Sequence, residues 1–246
     1  MPYFQYDHPI LERFPNLAGG ALVGKNLRNR ATPEPLWQRY LSEQQAVLKK
    51  IGSKPLSELV TLAGWRAAFR LFGVDPTQYR SAAEALLRRL TKKGDIPSIN
   101  AIVDICNLVS IRYALPVAVF DLSTIRAPIT VQFATGNELF TTLGEIEPAH
   151  PDPGEVIFMD AGGLVVARRW CWRQSEAGSA LLATTEALFT IEAHHPGGRP
   201  EIEQALTELQ NLLETHAGGE YERVTGEGLE KGAGGKTTVS RDYKTT

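Results

Sequence analysis

The spacing of apolar residues changes near Leu115, and that change restricts the fold more than any single motif does. Upstream, apolar positions recur at threes and fours, the spacing of a helix face packed on a core. Trp37, Tyr40, Leu41, Gln44, Val47 and Leu48 mark a helix from Pro35 to about Lys50. Residues 57–72 continue in the same style, with Gly73 as a natural stop. Ser81-Ala-Ala-Glu84 has the form of a capping box, in which Ser81 accepts from the Glu84 N–H and Glu84 reaches back. Downstream the period is two. Residues 116–121, 129–133, 155–160, 164–170 and 188–192 alternate like strands, punctuated by Gly136, Gly144, Pro151, Pro153-Gly154 and Gly162-Gly163. The Gly162-Gly163 pair suits a hairpin.

The ends complete the pattern. Residues 1–30 read as a strand or two around an early turn, with Leu17 and Ala21-Leu-Val as β pieces separated by Gly19-Gly20. A last helix begins at Pro200, with Glu201 and Glu203 near its positive end. Ile202, Leu206, Leu209, Leu212 and Leu213 form its buried stripe, and His216 and Gly218 close it. Helices on either side of a β-rich centre predict an α+β fold of β-sandwich-like central sheets with flanking helices. A single domain is expected over 1–217, residues 1–75 being a helical part packed on it, with 218–246 a flexible tail. Within the tail, Gly234-Gly-Lys-Thr237 ends like a phosphate loop. Glu230 stands where the first glycine belongs and no strand precedes it, so no nucleotide loop is assigned.

Composition narrows the function classes. With 43% apolar residues in 246, a core is available. A formal net charge of −2 excludes a globally basic nucleic-acid coat and leaves room for a local basic face. Cys106 and Cys171 have no nearby Cys or His companions, which excludes a zinc ribbon, a redox CxxC and a disulfide framework. No HExxH, GxSxG or GxGxxG string occurs, so neither a metal nor an organic cofactor is expected. The N-terminus lacks the form of a signal peptide, and no apolar run approaches the roughly 20 residues of a membrane span. A cytoplasmic protein is expected, of unassigned oligomeric state.

Three groups of residues carry candidate chemistry. In the helix of residues 98–112, Asn100, Asp104 and Asn107 fall within about 60° of one another at 100° per residue. That stripe either satisfies backbone ends in the core or lines a pocket. Cys106, on the apolar side, reads as a small core residue. The string Arg168-Arg-Trp-Cys-Trp-Arg-Gln174, if extended, points Trp170, Trp172 and Gln174 one way and Arg169, Cys171 and Arg173 the other. Either the tryptophans pack on the core above a wet arginine face, or the rings stack bases while guanidiniums meet phosphate. Finally, Arg80, Arg88, Arg89, Lys92 and Lys93 form either a nucleic-acid track or a solvated helix face.

The string Ile96-Pro-Ser-Ile-Asn-Ala-Ile-Val-Asp-Ile-Cys-Asn-Leu-Val-Ser110, followed by Leu115-Pro-Val-Ala-Val-Phe-Asp121, resembles the B3/B4 domain. That domain lies in the β subunit of phenylalanyl-tRNA synthetase and also occurs as free-standing proteins. Gly136-Asn-Glu138, Pro153-Gly-Glu-Val156, Asp160, the arginine–tryptophan string and Thr184 or Thr185 before Leu188-Phe189 resemble the free-standing branch. The likeness covers roughly residues 80–195. It implies a B3/B4-like fold and an editing activity, hydrolysis of the ester of tyrosine wrongly joined to the phenylalanine tRNA. Asn107 matches the Asn of the family's helix motif beside the editing pocket, and Asp104 matches its Asp. Where the family has Pro-x-His-x-Phe-Asp, this chain has Pro116-Val-Ala-Val-Phe-Asp121, so Ala118 replaces the pocket histidine.

The resemblance therefore implies a trans-acting aminoacyl-tRNA deacylase that needs no metal or cofactor. The candidates to orient water are Asn107, Asn100 and Asp160, the last as a weak base. Arg169, Trp170, Trp172, Arg173, Gln174 and Ala118 are the expected substrate contacts. Arg80, Arg88, Arg89, Lys92 and Lys93 would meet the nucleic acid. The expected partner is tRNA or its charged 3′ end, with the amino-acid moiety in the pocket. Two alternatives stand beside it: a noncatalytic module that binds tRNA or an aminoacylated end, and a small-molecule amidase, esterase or amino-acid binder.

Overall fold

The helical and alternating parts of the sequence separate into different layers. The structure, a computed structural model, describes residues 2–142 and 148–229. The first part of the chain forms β1 (Phe4–Tyr6), α1 (His8–Arg13), β2 (Leu17–Lys25), α2 (Glu34–Ile51), α3 (Val60–Leu71), α4 (Ala82–Lys93) and α5 (Ala101–Tyr113). Then come β3 (Val117–Asp121), β4 (Ile129–Phe133), β5 (Val156–Met159), β6 (Val165–Arg168), β7 (Arg173–Gln174) and β8 (Ala187–His194). α6 (Gly198–His216) and β9 (Glu220–Val224) end the described chain.

The strands make two sheets. One has the order β1-β4-β5-β6-β7, with β1 parallel to β4 and the other pairs antiparallel. The second, β3-β8-β2-β9, is antiparallel throughout. β8 shows how they pack, because all eight of its residues are buried. Ala187, Phe189, Ile191 and Ala193 join a core with α2, α4, α5 and α6. Leu188 points the other way, into a core shared with Phe4, Tyr6, Val131 and Phe158 of the first sheet and with Trp170 from the turn between β6 and β7. A strand apolar on both faces belongs at the centre of a layered fold. The result is the expected α+β architecture, two facing sheets with helices outside.

Several local expectations are corrected. Gly19 and Gly20 do not separate two β pieces but lie inside β2. A Cβ at Gly19 would stand 2.0 Å from the Tyr6 hydroxyl oxygen, and one at Gly20 would stand 2.2 Å from Leu206 Cδ1. The pair is needed for close approach on both faces of the strand, not for a turn. Because β1 and β2 are sheet strands, residues 1–75 are not simply a helical part laid on the sheets. β9 falls in the stretch expected to be a flexible tail, where it pairs with β2 and buries Val224. Gly234-Gly-Lys-Thr237 lies outside the described residues. The Ser81 half of the capping box forms, Ser81 Oγ accepting from Glu84 N at 3.3 Å, but the Glu84 carboxylate turns to arginines instead.

Candidate functional site

α4 buries Ala83, Leu87 and Leu90 and presents Ala85, Arg88, Arg89, Lys92 and Lys93 on its outer side. Glu84 breaks the pattern, a carboxylate only 1% exposed. It is stable there because Arg66 of α3 donates to it through Nε and Nη2, each at 2.9 Å, and Arg88 Nε donates at 2.9 Å. Arg80 Nε lies 3.9 Å from the same carboxylate. Burial works against the charged form of Glu84, but the Arg66 and Arg88 guanidiniums outweigh it and bring its pKa below the ordinary value. Arg80 and Arg88 line a concavity of about 400 Å³ with Arg89, Lys92, Lys93 and the short side chain of Ala85. All five basic residues expected to meet nucleic acid thus share one surface. Arg89 lies 3.7 Å from Asp95, and among the described residues Lys92 and Lys93 form no salt bridge.

The arginine–tryptophan string is not extended, which corrects the alternating placement of its side chains. Arg169 and Trp170 adopt φ of +44° and +61°, so β6 ends at Arg168 and the chain turns into β7. Left-handed backbone at two non-glycine residues costs about 1–3 kcal/mol each and needs compensation. Part of it comes from Trp170, which swings inward to full burial, edge-on to Phe14, Trp65 and His194. Glu155 supplies more, accepting from Arg168 Nε and Nη2 and from Arg169 N. Trp170 is therefore a core residue rather than a substrate wall. Gln174 is also structural: its Nε2 donates to the carbonyls of Val119 at 2.6 Å and Gly178 at 3.0 Å.

Trp172 stays at the surface of this turn. Tyr79 meets it edge-on at 4.9 Å, and the Arg169 guanidinium lies 3.9 Å from the Tyr79 ring centre and 4.8 Å from that of Trp172. Arg173, exposed, lies 5.2 Å from the Trp172 ring. Ala82 N donates to the Cys171 carbonyl, tying the turn to the start of α4. Tyr79 directly precedes Arg80 in the chain, so the ring that packs on Trp172 is the neighbour of a residue that lines the basic concavity.

The polar stripe of α5 is consumed in local structure. Asn100 is the N-cap: its side chain accepts from Val103 N and donates to the Ala180 carbonyl, both at 3.0 Å. Asp104 accepts from Ser98 Oγ and Thr32 Oγ1, both at 2.5 Å, and from Ile99 N at 2.9 Å. Asn107 is half-buried beside the Tyr40 hydroxyl. Asp160 accepts from Gly162 N, Leu164 N and Arg126 N, all at 2.8 Å, bracing the turn between β5 and β6. The expected meeting of Asn100, Asn107 and Asp160 in one pocket does not occur. The first two lie on a helix behind the β3-β8-β2-β9 sheet, while Asp160 stands at a turn of the other sheet.

A different polar cluster lies between the sheets. Thr190, Glu192 and His194 project from the inward face of β8, on which Leu188 also sits. Glu192 Oε1 accepts from the Tyr6 hydroxyl at 2.9 Å and from Trp170 Nε1 at 3.0 Å. Burial pushes the Glu192 carboxyl up to about 7, against the pull of those two donors. Burial also pushes His194 down to about 3, with His195 adding to the effect. Ala118 pairs with Thr190 across β3 and β8, so it lies on the same face as Glu192. The one trace of this cluster in the sequence is an acidic residue inside the apolar run Leu188-Phe-Thr-Ile-Glu-Ala-His194. Among the described residues no group of three His, Cys, Asp or Glu side chains is placed to hold a metal, and no helix is long and apolar enough to cross a membrane.

Comparison with known proteins follows the same outline. A family model described as the B3/4 domain matches residues 64–224, from α3 to the end of β9. The phenylalanine–tRNA ligase β subunit of Shewanella oneidensis is 29% identical over 143 residues, covering 57% of this chain and 17% of that protein. The chain thus spans about a sixth of the length of that relative. Among solved structures, an N-terminal fragment of the phenylalanyl-tRNA synthetase β-subunit from Pyrococcus horikoshii aligns with a TM-score of 0.48 and 13% identity, over 89% of this chain and 49% of the other.

Proposed function

The chain belongs to the B3/4 domain family, and on that premise we propose that it is a tRNA-binding module acting at the aminoacylated end. The observation that carries this reading is the single concavity lined by Arg80, Arg88, Arg89, Lys92 and Lys93, with Tyr79, the chain neighbour of Arg80, packed on Trp172. Guanidinium and ammonium groups near a half-buried ring suit a phosphate backbone with accessible bases. The same grouping of five cations favours tRNA over a small amide or ester as the partner. The resemblance to a tRNA ligase subunit agrees with it, and a role on charged tRNA fits a cytoplasmic address.

Hydrolysis of the aminoacyl ester in trans is the second reading, and Glu192 is its specific support. A carboxyl that ionises near neutral pH suits general-base work. It lies on the face that carries Ala118, the position the resemblance assigns to a pocket residue. In that reaction Glu192 accepts a proton from water as the oxygen attacks the ester carbonyl carbon, and it returns that proton to the tRNA ribose oxygen as the acyl C–O bond breaks. Tyr6, which now occupies Glu192 Oε1, has to withdraw with the short strand β1 first.

Both readings are tested by incubating the purified chain with correctly and wrongly charged tRNAs, measuring binding and ester loss, with Arg88→Glu and Glu192→Gln as controls. Binding lost in Arg88→Glu supports the module. Ester loss abolished by Glu192→Gln with binding retained supports the deacylase. No binding to any charged tRNA overturns the tRNA reading.

A further inference from the structure

Building on the tRNA-binding reading, we infer that Trp172, Arg173, Arg80 and Arg88 form a nucleotide subsite that takes one unpaired nucleotide. Its base lies on Trp172 and its phosphate sits in the arginine concavity. The partner of this face is therefore single-stranded RNA in preference to duplex.

The Trp172 ring is half-buried and held from within. Tyr79 meets it edge-on, and Arg169 packs against both rings. Arg169 is itself held by Asp152 at 3.0 Å, with Glu155 at 3.7 Å, and its side chain is 11% exposed. These contacts keep the indole in place without any ligand. Arg173 differs: it is exposed and lies 5.2 Å from the Trp172 ring. An exposed cation–π contact is weak, and a stacked base outcompetes it. Displaced, the Arg173 guanidinium becomes a further donor for phosphate.

The phosphate side is joined to the ring through Tyr79, which packs on Trp172. Arg80 follows Tyr79 in the chain and lines the concavity with Arg88. Glu84 takes the Nε of Arg88, a residue that also lines the concavity. Arg80 Nε is buried with no hydrogen-bond partner. One carboxylate thus serves Arg66, Arg80 and Arg88, leaving a local surplus of positive charge for an anion. A duplex engages the α4 cations through its phosphates but keeps its bases stacked within the helix. Only an unpaired nucleotide satisfies ring and arginines together.

The test titrates the full chain with a short unstructured RNA, a hairpin duplex of equal phosphate number and intact tRNA, at one ionic strength. Affinity and tryptophan fluorescence are followed. The single strand is expected to bind about tenfold more tightly than the duplex and to quench fluorescence. Trp172→Ala is expected to lose that advantage and leave duplex binding unchanged, while Arg88→Glu weakens both. Quenching of the unaltered chain by the single strand alone supports the subsite even if Trp172→Ala does not fold. Equal affinity for both RNAs with no quenching overturns the subsite, and tRNA binding that is still lost in Arg88→Glu then leaves the broader reading standing. Single-strand binding with quenching, without binding of tRNA, supports the subsite and overturns the broader reading. Absence of all RNA binding overturns both.

Discussion

Tyr6 and Glu192 are 186 positions apart in the chain and 2.9 Å apart in the structure, the phenol of one sheet donating to the carboxyl of the other. Trp170 Nε1 donates to the same oxygen, so β1, β8 and the turn after β6 meet at one buried atom. Gly19 makes the meeting possible by leaving room for the Tyr6 hydroxyl.

Stability responds to that contact. Tyr6→Phe removes one donor from a buried acceptor and is expected to cost about 1–3 kcal/mol in denaturant unfolding. Gly19→Ala is expected to destabilise as well, since its Cβ would overlap the Tyr6 hydroxyl. The tightest clash of the second change, at 2.0 Å, is with the atom the first removes, while Tyr6 Cζ at 2.8 Å and Cε2 at 2.9 Å remain, so the double variant is expected to lose somewhat less than the sum of the singles. Full additivity contradicts this account.

The pH dependence of stability carries two opposed contributions. Glu192, pushed up to about 7, keeps its proton in the folded chain above the ordinary value of 4.5. Its contribution is complete below about 4.5 and is lost as pH rises through 7. His194, pushed down to about 3 from 6.5, contributes fully above about 6.5 and loses its contribution as pH falls toward 3. Between 4.5 and 6.5 the two slopes oppose each other. Glu192→Gln is expected to leave stability rising with pH across that window, read from thermal unfolding in a buffer series. An unchanged profile refutes the assignment.

Asn100 acts as a helix cap. Asn100→Ala is expected to cost about 1 kcal/mol for the missing cap, with a further penalty from the bond to the Ala180 carbonyl. Its affinity for tRNA, compared at a temperature where both proteins are folded, is expected to match that of the unaltered chain. A specific loss of binding or ester hydrolysis with stability intact would restore Asn100 to the site.

Charge reversal on α4 separates a nucleic-acid face from a merely solvated one. Lys92→Glu and Arg89→Glu are expected to weaken tRNA binding and to reduce the slope of log affinity against log salt by about one for each phosphate no longer neutralised. Both side chains lie on the outer side of the helix, so the unfolding midpoint is expected to stay nearly constant. An unchanged salt slope counts against the face.

The layering was readable because it rests on period. Trp37 to Leu48 and Ile202 to Leu213 repeat at helical spacing, and β4 has the predicted bounds, since each element shows its buried face in its own sequence. The basic cluster was readable for the same reason, as neighbours on one helix face share a surface. The site between the sheets was not. Glu192 gives one faint trace, and nothing in the sequence near it points to Tyr6 or to the inward turn of Trp170.

What the sequence by itself determined is the class of fold, the order of its layers and the grouping of Arg80, Arg88, Arg89, Lys92 and Lys93. All of these depend on residues a few positions apart. Only the tertiary structure decided that Asn100 and Asp160 brace backbone, that Trp170 is core while Trp172 is surface, and that Glu192 lies buried among aromatic rings. Those outcomes depend on the turn at Arg169 and Trp170 and on contacts between distant strands. Burial and hydrogen-bond partners are set by what packs opposite a residue, and local spacing carries no record of that.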